Sequence, residues 1–489
     1  MASQPLVRPR AWLLAAFLLI AAHSAWQAWS VSATPYPARY EYDEGVYAAT
    51  AAAVGDGARL YQDAVLSQPP LVIVILAGAF HTFGSSLATA RGTIVLFSAL
   101  WLAALAAVAT VLRGPRAGVL AICVLLGNQL FLTAAHTVQM EGPSEALAAA
   151  AVAAAVLGAR SGRLLVWAAA GGFAGLAAMA KLTGAACLAP VLITAVTLRS
   201  NGSHTGGRLA ALTAGGVAAT IAFLPLLASG AAVNQTLLFH LTLAHRSALE
   251  RLGLLGLPSG ASAVRAFVTT SWPLVAGAVA GLGVTTAAPD RPVRLYAGWL
   301  AADCLMLSAL RPLWPHHLAI LLSPLALLAG SALDRVMVKM EHSAVVGPGR
   351  RGAAGRWRAS LGAVALCGVY VSAGVAASTW GSSNDLRQMS ARLAAAVGPH
   401  GSVLTDDPMV PFLARRSIPP ALIDTSYARF AAQALRPSML DEAIEDTTVR
   451  AVVFWRGTFL REAPAFGARA AVIFPMRVEA GGDRFLDWR

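Results

Sequence analysis

Residues 11 to 31 read AWLLAAFLLIAAHSAWQAWSV, a run without a charged side chain that follows Arg8 and Arg10. An apolar run of about 20 residues is long enough to cross the hydrocarbon core of a bilayer as a helix. The basic residues before it are typical of a signal peptide, but no clear small-residue cleavage site follows. The run therefore predicts a retained membrane helix.

Further apolar runs follow this first one along the chain, and together they predict eleven spans. The other ten cover residues 86 to 112, 117 to 135, 145 to 158, 164 to 180, 183 to 198, 209 to 229, 271 to 287, 295 to 310, 317 to 333 and 359 to 379. The chain is 57% hydrophobic and only 12% charged, whereas soluble globular proteins carry about 25% charged residues. The predicted fold class is mainly α, a polytopic membrane helix bundle.

The charge balance fits a membrane protein and excludes a nucleic-acid face. The 37 Lys and Arg exceed the 24 Asp and Glu, and 24 of these basic residues precede position 380, with 16 of them in alternate connections between spans. Basic residues in alternate short loops mark the cytoplasmic side. We therefore expect a plasma (inner) membrane protein with a cytoplasmic N-terminus and an exterior C-terminus.

The tail beyond residue 380 differs from the rest in composition and pattern. Its apolar patches predict strands at Ser402 to Thr405, Ala451 to Trp455 and Ala471 to Phe474, and a capping pattern predicts a helix at Ser438 to Glu445. The chain is thus divided into a transmembrane domain with exterior loops, residues 1–379, and a small exterior (periplasmic) α/β domain, residues 380–489.

Two apolar segments are not counted among the eleven spans. They are Leu71 to Phe83 and Leu237 to Leu257, which lie within long exterior connections. The first is too short to cross a bilayer, and both are predicted to be interfacial or re-entrant helices.

A carboxylate cluster, Tyr40-Glu41-Tyr42-Asp43-Glu44-Gly45, follows the first span. It places acidic groups near the outer membrane surface, where a general base can act on a lipid-borne substrate. The same residues also fit a simple helix start, with Asp43 as the cap of a helix from Glu44 to Val54. Both interpretations remain open at this point.

A second carboxylate, Glu141, lies where the third span emerges, before Gly142 and Pro143. It is placed to face the same cavity as Asp43, as a metal ligand or as a second carboxylate. Glu145 fits an ordinary negative charge at a helix N-terminus.

Cationic groups lie at the exterior ends of later spans. Lys181 is one of two lysines in the chain and ends the fifth span, and Arg311, His316 and His317 follow the ninth. A lysine ammonium suits a phosphate as a point charge, and the Arg and His residues suit an anionic head group. Snorkelling of Lys181 and an interfacial belt of His, Arg and Trp are the alternatives.

Two acidic features remain. Asp406-Asp407-Pro408 in the tail resembles an acidic metal pair, but a helix cap explains it more simply. Asp303, inside the ninth span, is a functional candidate because a carboxylate within a membrane is costly.

These motifs together resemble the GT-C superfamily of integral-membrane glycosyltransferases, in particular the lipid A aminoarabinose transferases and the protein O-mannosyltransferases. The residues that carry the resemblance lie mostly in the first exterior loop. They are Asp43-Glu44-Gly45-Val46-Tyr47-Ala48, Gly57-Ala58-Arg59-Leu60-Tyr61-Gln62-Asp63, Gln68-Pro69-Pro70-Leu71 and Phe83-Gly84, with Arg91 following.

The resemblance implies roles for individual residues. Asp43 and Glu44 match the family's acidic pair, so both are expected to be catalytic, with Asp43 as general base or, with Glu141, as a ligand of a divalent metal ion. Lys181 matches the family's lysine at the end of the fifth span.

Substrate contacts follow from the same resemblance. Tyr61, Asp63 and Gln68 are expected to bind substrate. Gln68 stands where lipid A transferases have a lysine, so the phosphate contact must come from elsewhere. The candidates for the donor phosphate are Arg59, Lys181, Arg311, His316 and His317.

The chemistry that the resemblance implies is transfer of a sugar from a polyprenyl-phosphate donor to an exterior acceptor in the cell envelope, a glycan, a lipid or a protein. A single displacement at the anomeric carbon gives inversion. The main alternative is a polytopic transporter or flippase of a lipid-linked or small polar substrate, because eleven spans that carry a few polar groups within the membrane also suit transport.

Overall fold

The computed structural model describes residues 9–198, 203–250, 260–283, 290–345, 371, 381–481 and 483–489. The predicted span 359 to 379 and the predicted domain boundary at 379/380 lie outside these residues, apart from residue 371.

Helices build most of the chain before residue 345. The first nine are α1 (Pro9–Ala33), α2 (Tyr42–Gly55), α3 (Leu71–Phe83), α4 (Leu87–Arg113), α5 (Pro115–Leu126), α6 (Gln129–Ala134), α7 (Glu141–Ser161), α8 (Leu164–Ala180) and α9 (Leu188–Thr197). The next eight are α10 (Thr205–Ile221), α11 (Leu224–Leu227), α12 (Gly230–Val233), α13 (Phe239–Glu250), α14 (Gly260–Thr270), α15 (Trp272–Gly283), α16 (Arg291–Ala309) and α17 (Leu322–Val345). Tighter or wider turns occupy Leu182–Cys187 (3-10), Asn234–Leu238 (π) and Pro315–Leu321 (3-10).

Several of these helices have the length and composition of membrane spans. Within the described ranges, four qualify: Pro9–Ala33, Leu87–Arg113, Glu141–Ser161 and Pro315–Met340. A fifth is added if α14 and α15, which meet at an angle of 85°, count as one span. The sequence predicts more spans because apolar runs continue through breaks in the helices. The run from 117 to 135, for example, is divided after Leu126, and Asn128 caps a new helix by accepting a hydrogen bond from the Phe131 N–H.

Small residues allow the helices to pack closely. At Gly171 of α8, an added Cβ would lie 1.9 Å from the Leu212 carbonyl oxygen of α10, and at Gly215 of α10 it would lie 1.9 Å from the Ala168 carbonyl oxygen. Only glycine permits backbones to approach this far, which is typical of helix pairs in membranes. These two contacts hold α8, and hence its C-terminal Lys181, in place.

The long helices give the bundle two ends. Helix α7 begins at Glu141 and ends near Arg160, and α4 begins near Arg91 and ends at Arg113. We call the end that contains Glu141 the site face. The opposite end is the arginine face, defined by Arg113, Arg116, Arg160, Arg291 and Arg335, three of which pair with Asp290 or Asp334.

The C-terminal region contains a four-stranded sheet in the order β1-β2-β4-β3, with β1 (Ser402–Thr405) parallel to β2 (Val449–Phe454) and β4 (Arg484–Trp488) antiparallel to both β2 and β3 (Met476–Gly481). The first two predicted strands are confirmed. The predicted strand at Ala471 to Phe474 is wrong, because these residues end a helix that Pro464 opens.

The helices of this region are Asn384–Ala396, Met409–Ala414, Tyr427–Ala431, Pro437–Glu445, Thr458–Glu462 and Pro464–Ile473, with a 3-10 turn at Pro420–Leu422.

The predicted helix at Ser438 to Glu445 is present, but it begins at Pro437 after Arg436 and has no side-chain cap. The predicted Ser-x-x-Asp capping pattern therefore does not set its start.

The C-terminal region packs directly against the site face. An added Cβ on Gly45 of α2 would lie 2.6 Å from the Met409 backbone nitrogen. The Ala38 N–H donates to the Gly381 carbonyl at 2.6 Å, and the Ser383 N–H donates to the Tyr36 carbonyl at 2.8 Å. Apolar side chains of both regions form one continuous core. The first loop and the C-terminal sheet are thus fixed relative to each other.

Candidate functional site

Asp43 lies in the first turn of α2, which begins at Tyr42. Glu41, not Asp43, occupies the cap position and makes no side-chain capping bond. The Asp43 carboxylate is half-buried, and it makes no hydrogen bond to the described part of the chain. Burial, together with the nearby carboxylates of Glu141 and Asp424, raises the pKa of Asp43 to about 7. The group is therefore poised to take up or release a proton near neutral pH.

Glu44, the next residue, is in a very different environment. Its side chain is fully buried, and its two carboxylate oxygens accept hydrogen bonds from the Arg91 guanidinium at 2.7 Å each. The Val138 N–H donates to the same carboxylate at 3.0 Å. A buried ion pair of this kind is fully engaged with protein groups. The geometry favours a positioning role, in which Glu44 fixes α2 against α4 and the turn before α7.

A charged cluster forms where three elements meet at the site face. The Lys181 ammonium, at the end of α8, donates to Oε1 of Glu141, at the start of α7. His316 Nε2 lies 3.6 Å from the same oxygen, and the His316 and His317 ring centroids are 4.7 Å apart. The sequence pattern identified these four residues separately, and the structure brings them together. We call them the Lys181 cluster.

Three members of this cluster are of the metal-binding type. In the described ranges, ligand atoms of Glu141, His316 and His317 lie within 4.8 Å of one another. The group does not include Asp43, which the sequence analysis pairs with Glu141.

The tautomer of His317 decides whether these three side chains suit a metal ion or an anion. The Trp314 N–H donates to His317 Nδ1 at 3.3 Å, so in the neutral ring the proton is assigned to Nε2. Nε2 is then a hydrogen-bond donor, and Lys181 already engages one oxygen of Glu141. The side chains as they stand fit an anion better than a metal ion, and we derive no step through a metal.

Two predicted phosphate-binding arginines have other partners. Arg59 and Asp63 form a bidentate pair at the surface, with N···O distances of 2.9 and 2.8 Å. The Arg311 guanidinium donates to the carbonyl of Leu310 at 2.6 Å. Arg59 is therefore already neutralised by Asp63, whereas Arg311 retains its charge five residues before His316.

The predicted substrate residues Tyr61 and Gln68 stabilise the first loop. The Tyr61 backbone has a φ of 66°, and its hydroxyl donates to the Gln68 carbonyl at 2.8 Å. Gln235 joins the loop to the π turn, because its amide donates to the Tyr61 carbonyl and accepts from the Leu66 N–H, both at 2.9 Å. These hydrogen bonds tie the first loop to the π turn.

The C-terminal region adds residues that the sequence pattern did not connect with the site. The Tyr42 hydroxyl donates to Asp424 Oδ1 at 3.3 Å and accepts from the Thr425 N–H at 2.8 Å. The Arg456 guanidinium lies 5.1 Å from the Tyr40 ring centroid and 5.5 Å from that of Tyr42. Tyrosines on both sides of Glu41 were visible in the sequence, but their partners are about 380 residues away.

The Asp406-Asp407 pair forms part of the same contact. Asp407 accepts from the Tyr40 hydroxyl at 2.8 Å, from Arg456 Nε at 2.7 Å and from the Met409 N–H at 3.0 Å. Asp406 accepts from backbone N–H groups of residues 455, 456 and 458. These carboxylates bind N–H groups and side chains of the protein and join structural elements. The predicted cap is shifted by one residue, because Pro408, not Asp407, occupies the cap position of the helix Met409–Ala414.

Asp303 is fully buried on α16, and both of its carboxylate oxygens lack a hydrogen-bond partner among the described residues. The sequence pattern correctly marks it as unusual, because a carboxylate is costly in this environment. Its charge interacts with that of Glu145 on α7.

Comparison with known proteins shows which proteins this chain resembles. Residues 67–228 match the family model described as dolichyl-phosphate-mannose-protein mannosyltransferase. The chain is also similar in structure to ArnT from Cupriavidus metallidurans bound to undecaprenyl phosphate, with a TM-score of 0.66 and 15% identity over 96% of this chain and 97% of ArnT. This similarity of fold agrees with the resemblance of the sequence motifs to the GT-C superfamily.

A second protein of similar structure is the oligosaccharyltransferase AglB from Archaeoglobus fulgidus, in complex with an inhibitory peptide and a dolichol-phosphate. Its TM-score is 0.52, with 12% identity over 93% of this chain and 71% of AglB. At such identities the similarity is one of fold. A search of curated protein sequences finds no match. The mainly helical membrane fold with a small C-terminal sheet, predicted for a GT-C protein, is confirmed.

Proposed function

We propose that this protein is a GT-C glycosyltransferase that moves a hexosyl or pentosyl group from a polyprenyl-phosphate donor to an acceptor outside the plasma membrane. The observation that carries the proposal is the convergence of Asp43 and the Lys181 cluster on one face of a membrane helix bundle. The ArnT and AglB structures are both described with a polyprenyl-type lipid phosphate, which supports the donor class.

The Lys181 cluster serves the donor phosphate in this proposal. Lys181 supplies an ammonium with N–H groups beyond the one bound by Glu141. The ion pair partly offsets its charge, and it also fixes the ammonium within the cluster. His317 Nε2–H adds a neutral donor. Cations and hydrogen-bond donors fixed in advance stabilise negative charge that develops on a leaving phosphate. Arg311 stays a candidate for the same role, whereas the pair with Asp63 weakens the case for Arg59.

Asp43 serves as the general base. Its carboxylate takes the proton of the acceptor hydroxyl while the acceptor oxygen forms a bond to the anomeric carbon. The bond from that carbon to the phosphate oxygen breaks, and polyprenyl phosphate leaves. Attack opposite the leaving group inverts the configuration. With a pKa of about 7, a large fraction of Asp43 is unprotonated at neutral pH, and its carboxylate is a stronger base than one with an ordinary pKa.

The C-terminal region, residues 380–489, lies on the acceptor side in this proposal. It covers α2 through Tyr42, Asp424 and Thr425, so an exterior acceptor approaches Asp43 between the first loop and this region. The proposed orientation places the N-terminus and the arginine face in the cytoplasm, and the site face and the C-terminal region outside.

A transfer assay tests the proposal. Purified protein in lipid vesicles is incubated with radiolabelled polyprenyl-phosphate sugar and a cell-envelope extract as acceptor. We expect label to leave the lipid carrier in the wild type and to remain on it in Asp43→Asn. Movement of intact labelled carrier between leaflets, with no label released in either protein, would instead indicate a flippase and overturn the proposal.

A further inference from the structure

A cavity opens at the arginine face, at the opposite end of α7 from Glu141. It has a volume of about 420 Å³ and forms where the ends of α4, α7 and α9 meet the start of α16. Its walls are Val111, Leu112, Val156, Ala159, Arg160, Leu198, Arg291 and Pro292. Six of these residues are apolar and two carry a guanidinium, and none of the described lining residues is acidic.

The two arginines are available for a ligand. The neighbouring cations already have carboxylate partners, because Asp290 binds both Arg113 and Arg335 at 2.5 Å and Asp334 binds Arg116 at 2.6 Å. Arg160 and Arg291 are exposed and form no ion pair with any described residue. The cavity thus combines apolar walls with two uncompensated positive charges.

The position of the cavity relative to the bilayer indicates that its ligand is a membrane lipid. Helix α7 has 21 residues, which corresponds to about 30 Å at 1.5 Å per residue, close to the thickness of the hydrocarbon core. With Glu141 at one membrane surface, Arg160 lies at the other. A phosphate bound by the Lys181 cluster cannot reach Arg160, so the cavity is separate from the proposed donor site.

We propose that this cavity binds the head group of an anionic phospholipid of the cytoplasmic leaflet. The phosphate would lie between the Arg160 and Arg291 guanidinium groups, and the acyl chains would leave along the half-buried Val111, Leu112 and Leu198. Basic pockets between helices on the cytoplasmic side suit anionic head groups, and guanidinium groups bind phosphate oxygens in a bidentate manner. The volume is in the range of small-molecule sites, about 300 to 1,000 Å³.

Lipid binding to the full-length protein tests this site directly. The purified protein in a neutral detergent is titrated with dioleoyl phosphatidylglycerol, and bound lipid is counted by native mass spectrometry. We expect the tightest binding step to weaken about 30-fold in the double variant R160Q/R291Q, at about 1 kcal/mol for each arginine near the surface. R294Q is the matched control, because Arg294 is exposed on the same helix but does not line the cavity.

The other arms separate the sources of binding. Dioleoyl phosphatidylcholine should not compete for the tight step, and inorganic phosphate up to millimolar concentrations should not displace the lipid. Equal binding of phosphatidylglycerol by R160Q/R291Q and wild type, or equal competition by phosphatidylcholine, would overturn the proposal. An unchanged melting temperature of R160Q/R291Q in detergent shows that the double variant is folded. The result does not depend on whether the protein transfers sugar.

Discussion

Asp43 and Glu44 are adjacent carboxylates in the same helix turn, yet they belong to two different environments. Glu44 has both oxygens bound by Arg91 and is fully buried, whereas Asp43 is half-buried and makes no hydrogen bond within the described chain. The difference teaches that residue type alone does not assign a role to a carboxylate, because the number of its hydrogen-bond partners decides whether it is free to accept a proton. A carboxylate whose oxygens are all hydrogen-bonded stabilises the fold, and one without hydrogen-bond partners can accept a proton.

The largest effect is expected at Asp43. Asp43→Asn keeps the shape of the side chain but removes the base, and general-base removal costs about 100- to 10,000-fold in rate. Transfer activity should fall by this factor, while the melting temperature stays within the error of the wild type. Retention of more than about a tenth of the wild-type turnover would show that the general base lies elsewhere.

At Glu44 we expect a loss of stability, whereas at Asp43 we expect a loss of activity without a loss of stability. Glu44→Ala leaves the Arg91 charge buried without its partner, which typically destabilises a protein by about 3 to 5 kcal/mol. The variant should show a much lower melting temperature and low yield, and the double variant Glu44→Leu/Arg91→Met should recover part of this loss. A Glu44→Ala variant that melts like the wild type but lacks activity would move Glu44 into the catalytic group.

Lys181 tests the cationic half of the site. Lys181→Met should weaken donor binding by about 1.5 to 3 kcal/mol, the range for a hydrogen bond to a charged group. Arg59→Gln is the matched control, since Asp63 already neutralises Arg59 at the surface. Binding of radiolabelled donor to purified protein measures both variants. If both variants lost the same donor affinity, or if Lys181→Met lost none, the assignment of Lys181 to the donor phosphate would be contradicted.

The pH dependence of the rate follows from the raised pKa of Asp43. The base must be unprotonated, so kcat/KM should rise with pH up to about 7 and then level off. One pH unit below that pKa, about nine in ten carboxylates are protonated, so the rate should be about tenfold lower than the plateau. A profile that stays flat down to pH 5 would indicate a base with an ordinary carboxyl pKa.

The smallest effect is expected where the C-terminal region meets α2. Tyr42→Phe removes a hydroxyl that contacts Asp424 and the Thr425 N–H, and loss of such hydrogen bonds costs about 0.5 to 1.5 kcal/mol each. We expect a modest decrease in melting temperature, with Tyr36→Phe as a comparison on the same loop. An effect on activity without any effect on melting would show that this contact positions Asp43.

The sequence by itself determined the class of the molecule and the identity of its candidate residues. Long uncharged runs indicate segments that lie in a bilayer, and such segments form helices because their backbone N–H and C=O groups must bond to each other there. Their periodic interruption by arginine predicted the orientation, and Asp43, Glu141, Lys181, His316 and His317 were visible as charges at the ends of these runs. These are local properties, and each can be recognised within about 20 residues.

Only the tertiary structure decided which of these charges meet. The ion pair between Glu44 and Arg91 spans 47 positions, and the contact between Tyr42 and Asp424 spans 382. No local pattern encodes such pairs, because they depend on how helices cross and on where the C-terminal sheet docks. The breaks within apolar runs, as at Asn128, were likewise hidden, since hydropathy records composition and not the hydrogen bond that starts a new helix. Burial and partner number, which separate Asp43 from Glu44, exist only once the chain has folded.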